Sequence, residues 1–472
     1  MQKAMSSKWA TLAAVLVPVL MGPIDASVVN VAFPRLSEVF NVSVDVVGWV
    51  SMTYLLVLSS FLLSFGRLGD MFGFRRIFLA GNAIFTVASV LCGMSWSIGT
   101  LIAFRAIQAA GAGMTAALAP AIITSIFPPQ ERGRALGTQG MVVALGLAIG
   151  PTLGGTLLDL WGWRAIFFIN LPIGIIAQIV CYELIPEKEK LEKQKFDWLG
   201  AWLALISLAS LLFFISRGQY YQWSGLIMLM PALSLIAGIL FIIQEGRTAE
   251  PMLELNIFRN QPFTAGNIAA LFHFMTQYII VFITPFYLQH QLGLTSSKVG
   301  LTMTAFPLTV LIVAPLSGAL SDKIGNRILS SMGAVFCVLG AISLSFVGPD
   351  FQPSDVAWRL SLFGLGTGMF QSPNNSAIMG AVQKKRLGIA GGVLATTRNV
   401  GMVLGIATGS AVLVTRQLVY ELADTSLPRL LAMHDAYLTA AILSVICFMF
   451  CLFVKTRKER NMRLENDLQK MD

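Results

Sequence analysis

Asp25, Arg105 and Arg398 each stand inside an apolar run long enough to cross a bilayer. Charge at that depth costs several kcal/mol unless it is paired or faces water, so these three residues are the first candidates for chemistry. A carboxylate there can pair with a guanidinium or exchange that pairing for a proton. A lone guanidinium can bind an anionic group or brace a helix. Polar but uncharged partners follow at helical spacing: Asn30 after Asp25, Gln108 after Arg105, and His273 with Gln277 in a later run. Asn267, Gln371, Asn374 and Asn375 add hydrogen-bonding groups. His273 can act as a relay, although a neutral histidine bonded to a neighbour is the simpler reading.

The elements that position these residues are membrane helices. Of the 472 residues, 56% are hydrophobic and 12% charged, about half the charged share of a soluble domain. Fourteen apolar segments are predicted, centred near Val19, Leu56, Phe85, Ala110, Leu147, Ile176, Leu208, Leu235, Ile279, Leu311, Phe336, Leu365, Met402 and Ser444. The first run, from Trp9 to Phe33, is too long for a signal segment and stays as a helix. The outer ends of the first and fourth helices place Asp25 and Arg105 at similar depths, roughly 9–14 Å below the outer boundary.

The charges outside the helices record topology. With the N-terminus inside, 24 of the 33 Lys and Arg fall in inner loops and ends, and seven fall outside: Arg35, Arg164, Arg217, Lys298, Arg359, Arg416 and Arg429. This bias predicts that both termini are cytoplasmic, and it accounts for the net charge of +9 without nucleic acid. The mixed-charge stretch from Glu187 to Lys195 reads as a linker. The predicted organisation is a six-helix bundle over 1–185, the linker over 186–197, two additional helices over 198–245, a cytoplasmic connection over 246–262, a second six-helix bundle over 263–455 and a tail over 456–472.

An internal repeat supports the two halves. The loop carrying Gly66, Asp70, Gly73, Arg75 and Arg76 is echoed by one carrying Gly318, Asp322, Gly325 and Arg327. Glycines allow a tight turn and close helix approach, while the acid and arginines can latch the inner side, so both loops read as a cytoplasmic gate. In the fifth helix Gly137, Gly146, Gly150, Pro151, Gly154 and Gly155 make a glycine-lined, proline-broken face suited to close packing.

These motifs resemble the major facilitator superfamily. The first loop resembles its G-x-L-x-D-x-x-G-[RK]-[RK] pattern, with Phe74 at a position that is commonly basic. The fifth-helix glycines match that family's antiporter signature, and Arg105-Ala-Ile-Gln108-Ala-Ala-Gly111 is similar to its R-x-x-Q-G motif, with Ala109 in place of Gly. The stretch from Pro23 to Pro34 resembles the first-helix motif of the fourteen-helix drug:proton antiporters, keeping Asp25 and Asn30. Trp163 to Gly174, Gln371 to Asn375 and the surroundings of Arg398 are also similar to that group. The resemblance implies an all-α major facilitator fold in the cell membrane, and a proton-coupled antiporter exporting small amphipathic compounds by alternating access. Asp25, Arg105 and Arg398 would then couple protons to substrate. The expected partners are a small-molecule substrate, protons and the bilayer, in a monomer.

Other classes lack residues to work with. No nucleotide-binding glycine loop, metal-ligand cluster or hydrolase motif occurs, so neither a cofactor nor an enzyme is expected. The five cysteines read as small apolar residues. His290 and His434 are expected in outer loops. The rival readings are a proton-coupled transporter of one metabolite and a non-transporting sensor or assembly subunit.

Overall fold

The computed structural model describes residues 2–128, 130–187, 198–217, 224–248, 255–383 and 387–453, without the side chains of 2–7, 63, 64, 67, 70, 198, 216, 255, 256, 322 and 388. The linker over 188–197 and the tail lie outside the described residues, as do the side chains of Asp70 and Asp322. The described residues are all-helical: α1 (Gln2–Phe40), α2 (Val44–Phe72), α3 (Phe74–Gly93), α4 (Ile98–Ile126), α5 (Arg132–Trp161), α6 (Ala165–Phe168) continuing into α7 (Asn170–Leu184), α8 (Trp198–Arg217), α9 (Met230–Arg247), α10 (Gln261–Phe286), α11 (Ser296–Ile324), α12 (Asn326–Leu344), α13 (Pro353–Gly380), α14 (Leu387–Leu422) and α15 (Pro428–Cys451).

All fourteen sequence-predicted segments fall on helices. Twelve are long and apolar enough to cross a membrane. Two are not counted among them: in α8 the apolar stretch is limited to Leu199–Ile215, and in α13 the run Gln371-Ser-Pro-Asn-Asn375 dilutes the apolar content. The first helix also differs from expectation. It continues through Pro34 to Phe40, where Phe40 packs against Trp163. Asp25 therefore lies 15 residues, about 22 Å, from the helix end, deeper than the loop-based reckoning gave. His434 is likewise not in a loop but in α15, bonded to the Val347 carbonyl at 2.6 Å.

The two halves repeat one another in backbone detail. Gly73 alone separates α2 from α3 at φ 99°, and Gly325, 252 residues later, separates α11 from α12 at φ 94°. Only glycine tolerates that backbone without strain of about 1–3 kcal/mol. Asn41 and Gly293, at the same offset, both take positive φ at the opposite end. Within each half one helix pair is pressed together through glycine. A Cβ on Gly111 would meet the Phe85 amide at 2.5 Å, and one on Gly366 would meet the Cys337 amide at 2.5 Å. Small residues let helix backbones approach in a solvent that gives no hydrophobic drive between helices.

The halves meet through α5 with α11 and through α2 with α14. The additional helix α8 packs on both α2 and α14, so it lies along the seam, and α9 packs outside it. A half-buried ion pair, Arg217 to Asp45 at 2.6 Å, fixes the end of α8 to the start of α2.

The glycine crossings carry a direct test. Gly366→Ala or Gly111→Ala has no room and should destabilise the purified protein by about 1–3 kcal/mol. Gly137→Ala, beside open space, should leave thermal unfolding in detergent unchanged to within about 0.5 kcal/mol. Equal effects at all three positions would contradict the packing described.

Candidate functional site

A polar cluster sealed inside the first half is built from five helical rods. Ser97 caps α4, its hydroxyl accepting from the Thr100 amide at 3.2 Å, which sets Arg105 two turns into the helix. Arg105 Nη1 donates to Asp25 Oδ2 on α1 and to Gln108 Oε1 at 2.6 Å. Its Nε donates to the Val50 carbonyl on α2 at 3.2 Å, and its guanidinium lies 4.2 Å from the centre of the Tyr54 ring. Asp25 Oδ1 accepts from Gln108 Nε2 at 2.9 Å and from Asn170 Nδ2 on α7 at 3.1 Å. Ser89 on α3 accepts from Gln108 at 2.8 Å and donates its own hydroxyl to the Phe85 carbonyl at 2.7 Å. Asp25 and Arg105 are 1% and 0% exposed, so a carboxylate and a guanidinium share a fully dry site. Such a pair is tolerable there because each carboxylate oxygen has a donor.

Asp25 and Arg105, expected at similar depth, are joined here, and Gln108, expected only as a polar group of the cavity, bonds to both. Ser89, Tyr54 and the Val50 carbonyl carry no signal in the sequence, and Asn170 lies in it only as part of a motif. Asn30, nearly a turn and a half beyond Asp25, is buried but makes none of these bonds.

The second half presents a different arrangement. His273 on α10 is buried between Phe274, Phe363 and Phe370, the last at 4.4 Å between ring centres, with Cys337 Sγ at 3.9 Å from Nδ1. Its Nε2 lies 3.5 Å from the Gln371 amide, which also donates to Gln277 at 3.3 Å. Asn374 donates to the Gly266 carbonyl at 3.1 Å, tying α13 to α10, while Asn375 is exposed. Arg398 on α14 is exposed and makes no hydrogen bond or ion pair among the described residues. Thus the structure unites Asp25 and Arg105 but leaves Arg398 apart from them. Among the described residues no three His, Cys, Asp or Glu side chains gather to hold a metal ion.

Between the halves, one end is shut, and toward the other end several glycines face open space. At the end holding Asn41, Cβ atoms on Gly155 and Gly300 would meet the Ser296 and Pro151 carbonyl oxygens at 2.2 and 2.0 Å, so α5 and α11 touch backbone to backbone. Thr152 and Thr304 bond across this contact at 2.7 Å. Asp159 caps α11 from α5, accepting from the Ser296 and Ser297 amides at 3.1 and 2.7 Å. Phe33 and Phe282 meet edge to face at 5.1 Å, and Glu38 reaches His290 at 3.2 Å. The opposite stretch of α5 has open space around Gly133, Gly137 and Gly140, and so does Gly66 on α2.

The fifth-helix glycines thus have two separate tasks. Gly146, Gly150 and Gly154 receive Leu20, Pro23, Ser27 and Val28 of α1, whereas Pro151 and Gly155 receive α11. In the repeated loops, Arg75 donates to the Tyr182 carbonyl and stacks on its ring, and both Arg75 and Arg76 pair with Glu187. Those arginines fasten the start of α3 to the end of α7 inside one half.

Comparison with known proteins places this architecture. Residues 19–406 and 267–469 match the Major Facilitator Superfamily, and the chain belongs to that family. It is 35% identical over 405 residues to the riboflavin transporter RibZ of Clostridioides difficile (strain 630), covering 85% of this chain and 88% of that one. It is 32% identical over 394 residues to the multidrug resistance protein Stp of Mycobacterium tuberculosis (strain CDC 1551 / Oshkosh), covering 83% and 73%. Among solved structures it resembles a bacterial homolog of the human lysosomal transporter Spinster in an inward-facing, unoccupied conformation, with a TM-score of 0.69, 16% identity and coverage of 95% and 97%. The protein is a multi-pass membrane transporter of the secondary type, not an enzyme.

Two outcomes follow from the geometry. Arg105→Ala leaves a buried carboxylate unpaired and should cost about 3–5 kcal/mol of stability. Combined with Asp25→Asn, the loss should be smaller than the sum of the single losses by more than about 0.5 kcal/mol, and additivity would show that the two side chains do not interact. Asp159→Ala removes the cap that α5 places on α11. Spin labels at Val39 and Leu427, exposed near the shut end, should then report a longer distance population by pulsed electron resonance.

Proposed function

We propose that this member of the superfamily exports small amphipathic compounds in exchange for protons, by alternating access around the space between its halves. The observation that carries the reading is the sealed Asp25–Arg105 pair with Gln108 and Asn170. It is an acid inside a membrane-spanning core, held so that gaining a proton would release Arg105 and break the bonds joining α1 to α4 and α7. Protonation of Asp25 is therefore a conformational event as well as a change of charge. The excess of basic residues in the loops supports an orientation with both termini and the open end in the cytoplasm.

Fourteen spans in one monomer of the cell membrane complete the proposal, with α8 and α13 counted beside the twelve long apolar helices. The seam position of α8 supports this count, because its partners α2 and α14 belong to different halves. Identity to a multidrug resistance protein favours a broad substrate range. Identity to a riboflavin transporter favours the second reading, a single planar metabolite.

The cycle then runs in four steps. A compound enters the open end while Asp25 is ionised. The near end closes as the seal of α5 on α11 and of α1 on α10 comes apart, the compound leaves, and a proton takes its place on Asp25. Return to the described state delivers that proton to the cytoplasm. The transmembrane potential contributes about 2.3 kcal/mol per charge per 100 mV to this exchange.

In inside-out vesicles carrying the wild-type protein, an imposed interior-acid gradient should drive dye uptake that an uncoupler abolishes. Asp25→Asn should lose the gradient-driven component while retaining exchange of dye down its own gradient. Uptake by Asp25→Asn at the wild-type rate would sink the coupling role. A growth-inhibition panel with chemically varied drugs, compared with riboflavin transport, separates the two substrate readings.

A further inference from the structure

We propose that the transported compound carries an anionic oxygen group, such as a carboxylate or ionised phenol, and that Arg398 on α14 binds it. The inference rests on the transporter reading and adds the chemical class of the substrate. Its first support is the distribution of charge. Seven or more residues from a helix end, the ionised side chains of the α1–α7 and α10–α15 halves are Asp25, Arg105, Arg398 and Asp435 among the described residues, and Asp435 is paired with Arg416. Asp25 and Arg105 neutralise each other in a dry site. Arg398 has no such partner, so the space between the halves carries one uncompensated positive charge.

The position of Arg398 gives that charge a direction. Gly405 presses on the backbone of Met275 and Gly401 on the Leu271 carbonyl, which fixes one face of α14 on α10. Arg398 is seven residues before Gly405, two helical turns away on nearly the same face. It stands a third of the way along α14 from the end on which the halves are parted. Tyr278 of α10 is within electrostatic reach of its guanidinium. The side chain is nonetheless exposed, so it extends into the parted space instead of into a packed contact. An arginine at membrane depth that is exposed and has no ion-pair partner among the described residues is arranged to receive a counter-charge.

Neighbouring groups strengthen the case. The Asn399 amide nitrogen is buried without a hydrogen-bond partner, as is the Thr396 hydroxyl. Asn399 follows Arg398 about 100° round the helix, whereas Thr396 lies on the opposite face, so only the Asn399 amide adjoins the guanidinium. Guanidinium and amide N–H groups call for oxygen acceptors, and an anionic oxygen makes the strongest bonds to them. A cationic compound would meet Arg398 with no free acid at that depth to offset the repulsion.

Purified wild-type protein in detergent would be titrated with 5-carboxyfluorescein and with ethidium, following fluorescence anisotropy. Tighter binding of the anionic probe, lowered about tenfold or more in Arg398→Gln and partly kept in Arg398→Lys, is the expected result. Stronger binding of ethidium, or unchanged carboxyfluorescein affinity in a folded Arg398→Gln, overturns the proposal. Because the variant could misfold, the wild type also provides a measurement. Phenylglyoxal should modify Arg398, read by mass spectrometry, and carboxyfluorescein should slow that reaction where ethidium does not. Equal protection by both probes, or none by either, counts against the anion site. Gradient-driven uptake by wild-type vesicles scores the transporter reading separately, so a working transporter indifferent to substrate charge would refute this inference alone.

Discussion

A carboxylate and a guanidinium in a water-free site impose the strictest requirement on this molecule. Neither Asp25 nor Arg105 could remain ionised there alone, and together they still need donors and acceptors for every remaining lone pair and N–H. Four helices supply them around Asp25 on α1: the Val50 carbonyl and Tyr54 ring from α2, Ser89 from α3, Gln108 from α4 and Asn170 from α7. The register of α1, α2, α3, α4 and α7 is fixed by this demand, because a slip of one residue would orphan a buried group. One guanidinium nitrogen, Arg105 Nη2, has no hydrogen-bond partner and is left to the aromatic face. The cluster therefore has no spare hydrogen bonds, and a proton on Asp25 would disturb it.

The second half uses the same backbone plan without that constraint. The glycine-only turn, the positive-φ residue at the opposite end and the glycine crossing recur, most of them at an offset of 252 residues. Where the first half buries an ion pair, α10 offers only His273, stacked among phenylalanines, and the charge of this half has moved to Arg398 at the open space. Backbone sterics dictate the repeat, since a turn or crossing that admits only glycine cannot drift. Side-chain chemistry is freer, so the duplicated scaffold carries a sealed acid–base pair on one side and an accessible cation on the other.

The features legible from the sequence are those with a physical signature along the chain. Apolar runs marked every helix, and the scarcity of interior charge singled out Asp25, Arg105 and Arg398 before any geometry was available. Asn170, Ser89 and Tyr54 were harder to assign because uncharged polar residues are common in membrane helices and signal nothing until their partners are known. The helix α1 outlasts its apolar run from Trp9 to Phe33, because a proline such as Pro34 inside a membrane helix is tolerated when neighbouring groups cover the freed carbonyl. Similarly, polarity kept α13 below the measure of an apolar span, although its Asn374 is bonded inside the bundle.

The fifth helix connects the buried pair to the opening of the molecule. Its Gly150 accommodates Ser27 and its Gly154 accommodates Val28, two and three residues beyond Asp25 on α1. Less than one turn separates these contacts from Pro151 and Gly155, which touch the backbone of α11 in the other half. Contacts this close leave no slack: with Cβ positions already filled by the partner's atoms, α1 cannot shift or turn without moving α5, and α5 cannot move without changing its fit to α11. The route from the carboxylate to the closed end is thus two backbone-to-backbone interfaces on one helix. A change in the bonds that Asp25 makes to α4 and α7 acts on α1 directly, and packed interfaces respond to such displacement by switching between discrete fits.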